Sequence, residues 1–534
     1  MSKSDPFNLL DEDWISVRWD DGVVRDVSVR TALAEAHQIL NLVGDVPTQV
    51  FALTRLLLAV LHRATDGPRD EDDWDDLWNA ETLPDVTSYL DKYRDRWDLF
   101  HPDTPFFQVA GLHTAKGEMS DLSKLIADVP NGQPFFTNRI GGRLRLSPAE
   151  AARWLVHCHA YDPSGIKSGA VGDPLAKNGK GYPIGVGWSG NLGGILAEGS
   201  TLRETLVLNL VPRTLLELTE DDPPPWERDQ LDPEWGERPP TGPVDLFTWQ
   251  SRRIRLHRDG DWITGVLICN GDKLGPQNKH IYEVHTGWRR SEAQEKKRRD
   301  GLVYMPLQHN PERSTWRGLQ SMLPEAKTES TRNRMASRGV EWLQRAIYNR
   351  SLPVDHPIAL RTTGISYGSN QSVISEVVDD RLNIRAVLLA QDAIELHRTV
   401  KESIAAAEDT AAAVGKFAQD LATAAGSREP DGPRKRGAES TYAALDPKFR
   451  TWLAALGPSS DPAEEAVAWQ HIARAVARTL ADSLFKASPM RAWVGTTIND
   501  RLITSTHARR WFDMALDKAL PRLRQDPPAP EGTS

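Results

Sequence analysis

Residues 162–199 read DPSGIKSGAVGDPLAKNGKGYPIGVGWSGNLGGILAEG. Inside them GVGWSG, Gly185 to Gly190, has the letters of the GxGxxG dinucleotide fingerprint, and a chain built on that fingerprint is a doubly wound parallel sheet. The fingerprint has to open an amphipathic helix. Here GNLGG follows, which no helix tolerates, so that fold is set aside. Eleven glycines among 38 residues cost about 1 kcal/mol each against Ala in a helix and supply nothing to pack in a strand. The stretch is therefore a loop system. Lys167, Lys177 and Lys180 stand among its bare amides, a combination that suits a phosphate-bearing partner, while the plainer reading is a surface excursion with solvated lysines. Asn178-Gly179-Lys180-Gly181 lacks the Ser or Thr of a P-loop, and Ser189 in GWSGN lacks the second glycine of a nucleophile elbow.

On either side of this loop the chain changes texture. The N-terminal part reads as short strands around a turn at Asp21-Gly22, a helix from about Ser28, and a helix at Val50 to Arg63 with Phe51, Leu53, Leu56, Leu57, Val60 and Leu61 on its apolar face. Ser147-Pro148 is a cap followed by proline at the first helical position, opening a helix through about His159. Asp221 to Pro243 is acidic and proline-rich and reads as a long surface connection. From about Arg381 helices follow almost alone. Ile404, Ala407, Ala411, Val414, Leu421 and Ala424 keep helical spacing, and SREPDGPRKRGAES reads as a polar linker. A short helix then carries Phe449, Trp452, Leu453 and Leu456. A third, capped by Asp461-Pro462, turns Val467, Ile472, Val476, Leu480 and Leu484 inward, and a fourth bears Trp511, Phe512, Leu516, Leu520 and Leu523. The expected fold is α+β: a large mixed domain with long loops over 1–380, a C-terminal four-helix bundle over 381–524, and a proline-rich tail over 525–534.

Hydrophobic residues make up 39% and charged residues 26% of 534, as in a soluble globular chain. No apolar run is long enough for a membrane span and the N-terminus has no leader pattern, so a cytoplasmic location is expected. Cys158 and Cys269 are the two cysteines, too few for a disulfide framework or a four-thiolate metal site. The net charge of −9 is polarised: residues 1–103 hold 10 Lys and Arg against 22 Asp and Glu, and residues 249–350 hold 20 against 11. A basic window of this kind can face phosphates while acidic faces meet solvent. His157 and His159 flank Cys158 but point apart on a helix, and His280 and His285, in an apparent strand, have no cysteine nearby. Asp221-Asp222 and Asp379-Asp380 have nothing beside them to single them out for catalysis. No catalytic residue, metal site or cofactor is expected.

Several separated motifs in order resemble one family, the large subunit CasA of the type I-E CRISPR surveillance complex Cascade. They are NLLDEDWISVR (8–18), HPDTPFFQ (101–108), GIKSG (165–169), TLRETLVLNLV (201–211), LFTWQ (246–250), the segment Lys279 to Trp288, SYGSNQSVISE (366–376) and the helical end. The resemblance implies a non-catalytic subunit. In such complexes the guide RNA reads the target by base pairing while protein reads a short flanking duplex, the PAM. Its implied partners are guide RNA, double-stranded target DNA with its PAM, the other Cascade subunits and a helicase-nuclease. The family approaches the duplex from the minor groove, and by motif its glycine loop falls at Ser164 and Gly165 before Lys167, its lysine finger at Lys279, and its wedge at Asn370 and Gln371. The loop that grips the 5′ handle of the guide falls at PNGQPFFTNRIGGR (130–143), with Phe136 and Asn138 at matching places and Arg143 and Arg145 suited to phosphate. The bundle is implied to hold neighbouring subunits and guide the displaced strand. Minor-groove readout is degenerate, so tolerance of several PAMs is expected. RRIRLHRDGDWITG lacks the cysteine cluster that some members carry, so no zinc is expected, and Ser164 stands where some relatives have glycine. The alternatives are a nuclease and a purely structural adaptor of a ribonucleoprotein.

Overall fold

The computed structural model describes residues 6–127, 144–218, 221–275, 278, 281–298, 301–323, 333–498 and 500–524. Its contacts divide into two units, one of residues 1–313, 325–352 and 358–381, the other of 314–324, 353–357 and 382–534. The first mixes strands and helices and the second is mainly helical, with one short strand pair at Thr496–Ile498 and Arg501–Ile503, which is the α+β arrangement the patterning predicts.

The first unit opens with a three-stranded antiparallel sheet, in which Ile15–Trp19 lies between Val24–Val27 and Ile39–Leu42. Behind it runs helix Pro47–Ala64, buried continuously from Thr48 to His62. One apolar face was expected; the helix is instead enclosed on every side, so its polar members need internal partners. Thr48 Oγ1 lies 2.8 Å from His157 Nε2, and Arg55 pairs with buried Glu283. Helix Pro148–Tyr161 begins as its sequence requires, with Ser147 Oγ accepting from Glu150 N at 3.2 Å and Glu150 Oε2 accepting from Ser147 N at 3.0 Å. Strands Arg252–Asp259 and Trp262–Asn270 form a long hairpin. A second sheet places Pro357–Tyr367 between Gly194–Glu198 and Ile374–Arg385.

The acidic, proline-rich segment 221–243 is not merely a surface connection. Asp222 is buried because its carboxylate takes the amides of Val244 (2.7 Å) and Asp245 (3.1 Å) and the hydroxyl of Thr241 (2.7 Å), a set of donors that replaces its lost water. Trp226 is buried against Trp97, with ring centroids 4.7 Å apart. His285 lies in a bend rather than a strand.

In the second unit four long helices, Ile394–Ala424, Asp431–Ala455, Pro462–Lys486 and Ser505–Ala519, make the bundle. The supposed linker is mostly helix from Asp431 onward. Pro433 falls in the first turn, where its missing amide has no intrahelical acceptor to lose, and Gly437 lets the second helix approach the first: a Cβ there would stand 3.1 Å from Gly415 Cα and 3.2 Å from Val414 O. The third helix also turns a different face inward. Ala466, Trp469, Ala473, Val476, Ala477 and Ala481 are buried, and Val467, Ile472, Leu480 and Leu484 only partly so, because alanines permit close helix approach and Trp469 fills the centre. Trp316, from the 314–324 segment, stacks on Phe449 with ring centroids 4.3 Å apart, which explains why that segment packs with the bundle.

Candidate nucleic-acid interface

Helix Pro148–Tyr161 ends at Asp162, and Pro163, which has no amide hydrogen, keeps the chain from continuing it. The Asp162 carboxylate is a buried hub. One oxygen, Oδ2, accepts from Arg252 Nε and from Lys167 Nζ, each at 2.5 Å. Burial by itself raises the Asp162 pKa, but the two cations outweigh it and hold the carboxyl below its ordinary range. Arg252 is 1% exposed. Its Nη2 donates to Gly185 O at 2.8 Å and to the carbonyls of Asp162 and Pro163 at 3.3 Å each, so one guanidinium ties the start of the loop and its Gly185 to the long hairpin.

Most glycines of the 162–199 stretch serve this internal packing. A Cβ at Gly187 would stand 2.5 Å from the carbonyl of Ala160, at Gly190 2.3 Å from Tyr367 Oη, and at Gly193 2.2 Å from Leu307 O. Gly165, Gly179 and Gly185 differ: a Cβ at any of the three would meet nothing within 4 Å. Bare backbone is thus presented outward at Gly165, beside Ser164, which is itself buried.

The turn bearing Asn370 and Gln371 is brought to the same loop by the residue that ends its strand. Tyr367 Oη donates to Tyr161 O at 2.7 Å, one residue before Asp162, and burial pushes the Tyr367 phenol well above its usual pKa. Beyond Tyr367 the turn closes on itself, with Gly368 N bonded to Val373 O and Gln371 N to Gly368 O, both at 2.9 Å. Asn370 and Gln371 both take left-handed φ, 54° and 55°, and both are exposed. Two consecutive non-glycine residues in that region are strained by roughly 1–2 kcal/mol each. Farther back along strand Pro357–Tyr367, Arg361 bridges Asp379 (2.8 Å) and Glu198 (3.2 Å).

Of the other residues singled out by sequence, Lys279, Phe136, Asn138 and Arg143 lie outside the described residues, as does His280. Arg145 is exposed, its guanidinium 4.2 Å from the Trp262 ring centroid. Lys167 turns inward to Asp162 and is 15% exposed. Sequence reasoning missed Asp162, Arg252 and Tyr367. It also counted Arg252 and Arg253 toward a basic face, whereas both are buried and ion-paired, Arg253 to Asp272 at 2.6 Å. His157 and His159 are core residues with pKa lowered by burial to about 3 and about 4. Among the described residues no cluster of three His, Cys, Asp or Glu could hold a metal, and no helix is long and apolar enough to cross a membrane.

Residues 8–480 match the family described as CRISPR-associated protein Cse1. The chain belongs to the Cse1, or CasA, family. The crystal structure of Thermobifida fusca Cse1 is similar to it over 97% of this chain and 98% of that one, with 45% identity and a TM-score of 0.90. CasA/Cse1 of Thermus thermophilus is 34% identical over 339 residues, which span 61% of the chain and 61% of that relative. A chain of a solved CRISPR RNA-guided surveillance complex, 18% identical, has the same fold, with a TM-score of 0.65 over 90% of this chain and 100% of that one. In this Cse1-family fold the glycine loop and the Asn370–Gln371 turn are joined through Tyr161 and Tyr367.

Proposed function

We propose that the chain is the non-catalytic large subunit of a Cascade-type surveillance complex, acting in the cytoplasm, that reads the PAM of duplex DNA from the minor groove and starts its opening. The observation that carries this reading is the tether between Tyr367 and Tyr161, which joins an outward-facing bare backbone at Gly165 to an exposed, strained amide turn at Asn370 and Gln371. Backbone at Ser164–Gly165 can approach base edges that any side chain would hold off, and Lys279 supplies a movable donor to the groove acceptors. Gln371, held at positive φ, enters the first base step and separates it. Opening then passes to the guide RNA, which pairs with the freed strand. Lys167 contributes by fixing the loop through Asp162 as well as by its charge.

Docking in the complex is assigned to the guide-handle loop, with Phe136 stacking on a base and Asn138, Arg143 and Arg145 on polar atoms and phosphates. The helical bundle meets the neighbouring subunits and the displaced strand, and the assembled complex recruits the helicase-nuclease. Lys279→Ala and Gln371→Ala test the reading. In a guide-loaded complex each should weaken binding to a PAM-bearing duplex and leave binding to the complementary single strand unchanged, since a single strand needs neither groove reading nor opening. Equal loss on both substrates would refute it.

A further inference from the structure

A hairpin inside the glycine-rich loop has one face turned to the core and one to solvent. Lys167 pairs with Gly181 and Ser168 with Lys180. Side chains alternate across such a pair, and its inward members are accounted for. Lys167 Nζ sits on Asp162, and Gly181 lies so close to Asn270 that a Cβ would stand 2.9 Å from Nδ2, the same atom that donates to Tyr182 O at 2.7 Å. Continuing the register by one position sets Ile166 opposite Tyr182, on the outer face with Lys180. Ile166 is 60% exposed and Tyr182 54%. Lys177 and Lys180 are exposed and form no ion pair among the described residues. The one acid between residues 163 and 197, Asp173, is buried, where it accepts from Trp235 Nε1 at 3.2 Å and Leu175 N at 2.8 Å.

An apolar pair flanked by unpaired lysines, adjoining the outward backbone of Gly165, matches the wall of a DNA minor groove, where deoxyribose edges are apolar and phosphates line the rim. We propose that Ile166 and Tyr182 pack on the sugars of the PAM duplex while Lys180 meets a phosphate, forming a sequence-independent grip beside the base-reading residues. The inference rests on the reading of Ser164–Gly165 as groove-facing. It adds a separate role: affinity for duplex without discrimination, where Gln371 and Lys279 supply discrimination.

The test is binding by the guide-loaded complex to two duplexes, with and without a functional PAM, across a salt series. The double variant Ile166→Ser/Tyr182→Ala should lose about tenfold on both duplexes alike, keep the ratio between them, and keep the wild-type salt slope. Lys180→Ala should instead reduce the slope of log K against log salt by about 0.9, the value for one phosphate contact. Because both replaced apolar side chains are exposed, melting temperature should not move. Loss confined to the PAM duplex would make these residues base readers and overturn the proposal. Unchanged duplex binding, or release of the subunit from the complex in place of weaker DNA binding, would also overturn it. Wild-type binding that is equal on the two duplexes would instead strike the PAM reading itself, so the two failures are distinct.

Discussion

Tyr367 Oη donates a 2.7 Å hydrogen bond to the carbonyl oxygen of Tyr161, two residues separated by 206 positions in the chain. Each stands at the end of a regular element, Tyr161 closing helix Pro148–Tyr161 and Tyr367 closing strand Pro357–Tyr367, and each is followed at once by a segment proposed above to meet DNA. The bond is one direct link between two loops distant in sequence. Gly190 is part of the same device, since any Cβ there would displace the Tyr367 hydroxyl.

Tyr367→Phe therefore removes one buried donor and leaves the Tyr161 carbonyl without this partner, at a cost of about 1–3 kcal/mol. The ring still fills its site, so the fold persists. Amide hydrogen exchange should rise in 162–166 and 368–373 together, and PAM-duplex affinity should fall several-fold. Exchange that rises in only one of the two loops would show that they are not coupled through this bond.

The Asp162 hub has a signed pH dependence. Its folded pKa is held below the unfolded value by Arg252 and Lys167, so its contribution is fully present above the unfolded carboxylate pKa of about 4 and is lost as pH falls through the folded value. Asp162→Asn leaves two cations facing a neutral amide, a loss of about 3–5 kcal/mol at pH 7 for a broken buried pair. The stability gap between wild type and variant should stay constant from neutral pH to about pH 5 and narrow below pH 4. Denaturant titrations across that range measure it, and a gap that widens in acid would contradict the assignment.

A second buried pair fixes the other side of the loop. Arg55 Nη1 and Nη2 donate to Glu283 at 2.7 and 2.9 Å, and Trp188 Nε1, from the glycine-rich stretch, donates to the same carboxylate at 2.6 Å. Glu283→Ala strands a guanidinium that is 1% exposed and should cost about 3–5 kcal/mol. The double variant Arg55→Met/Glu283→Leu should recover most of that, because apolar groups of similar size need no compensating charge. Chemical denaturation of the three proteins tests it; a double variant no more stable than Glu283→Ala would mean that the pair does more than balance charge.

Much of the fold was legible because it depends on local signals: the Ser147 cap, the Asp461 cap and the alanine-rich periodicity from Ile404 to Ala424 all appear where the pattern puts them. The misses have a common physical cause. Asp431 to Ser440 looks like a linker because prolines and glycines usually break helices; Pro433 fits because it falls in the first turn, and Gly437 because it lets the helix approach Gly415. Asp222 and Trp226 look solvent-bound because their segment is acidic, until partners distant in sequence are seen to satisfy them. At the candidate interface the motif residues could be named from sequence. The groups that hold them, Asp162, Arg252 and Tyr367, could not, since a buried arginine and a surface arginine have the same letter.

The central claim is that this chain gives a guide-loaded complex its choice of flanking duplex. The most direct measurement binds complexes reconstituted with and without the chain to duplexes that carry a matched target beside a randomised flanking sequence, followed by sequencing of the bound fraction. With the chain present, a limited set of flanking sequences should be enriched, and Gln371→Ala should flatten that enrichment. The same enrichment in complexes that lack the chain would contradict the account.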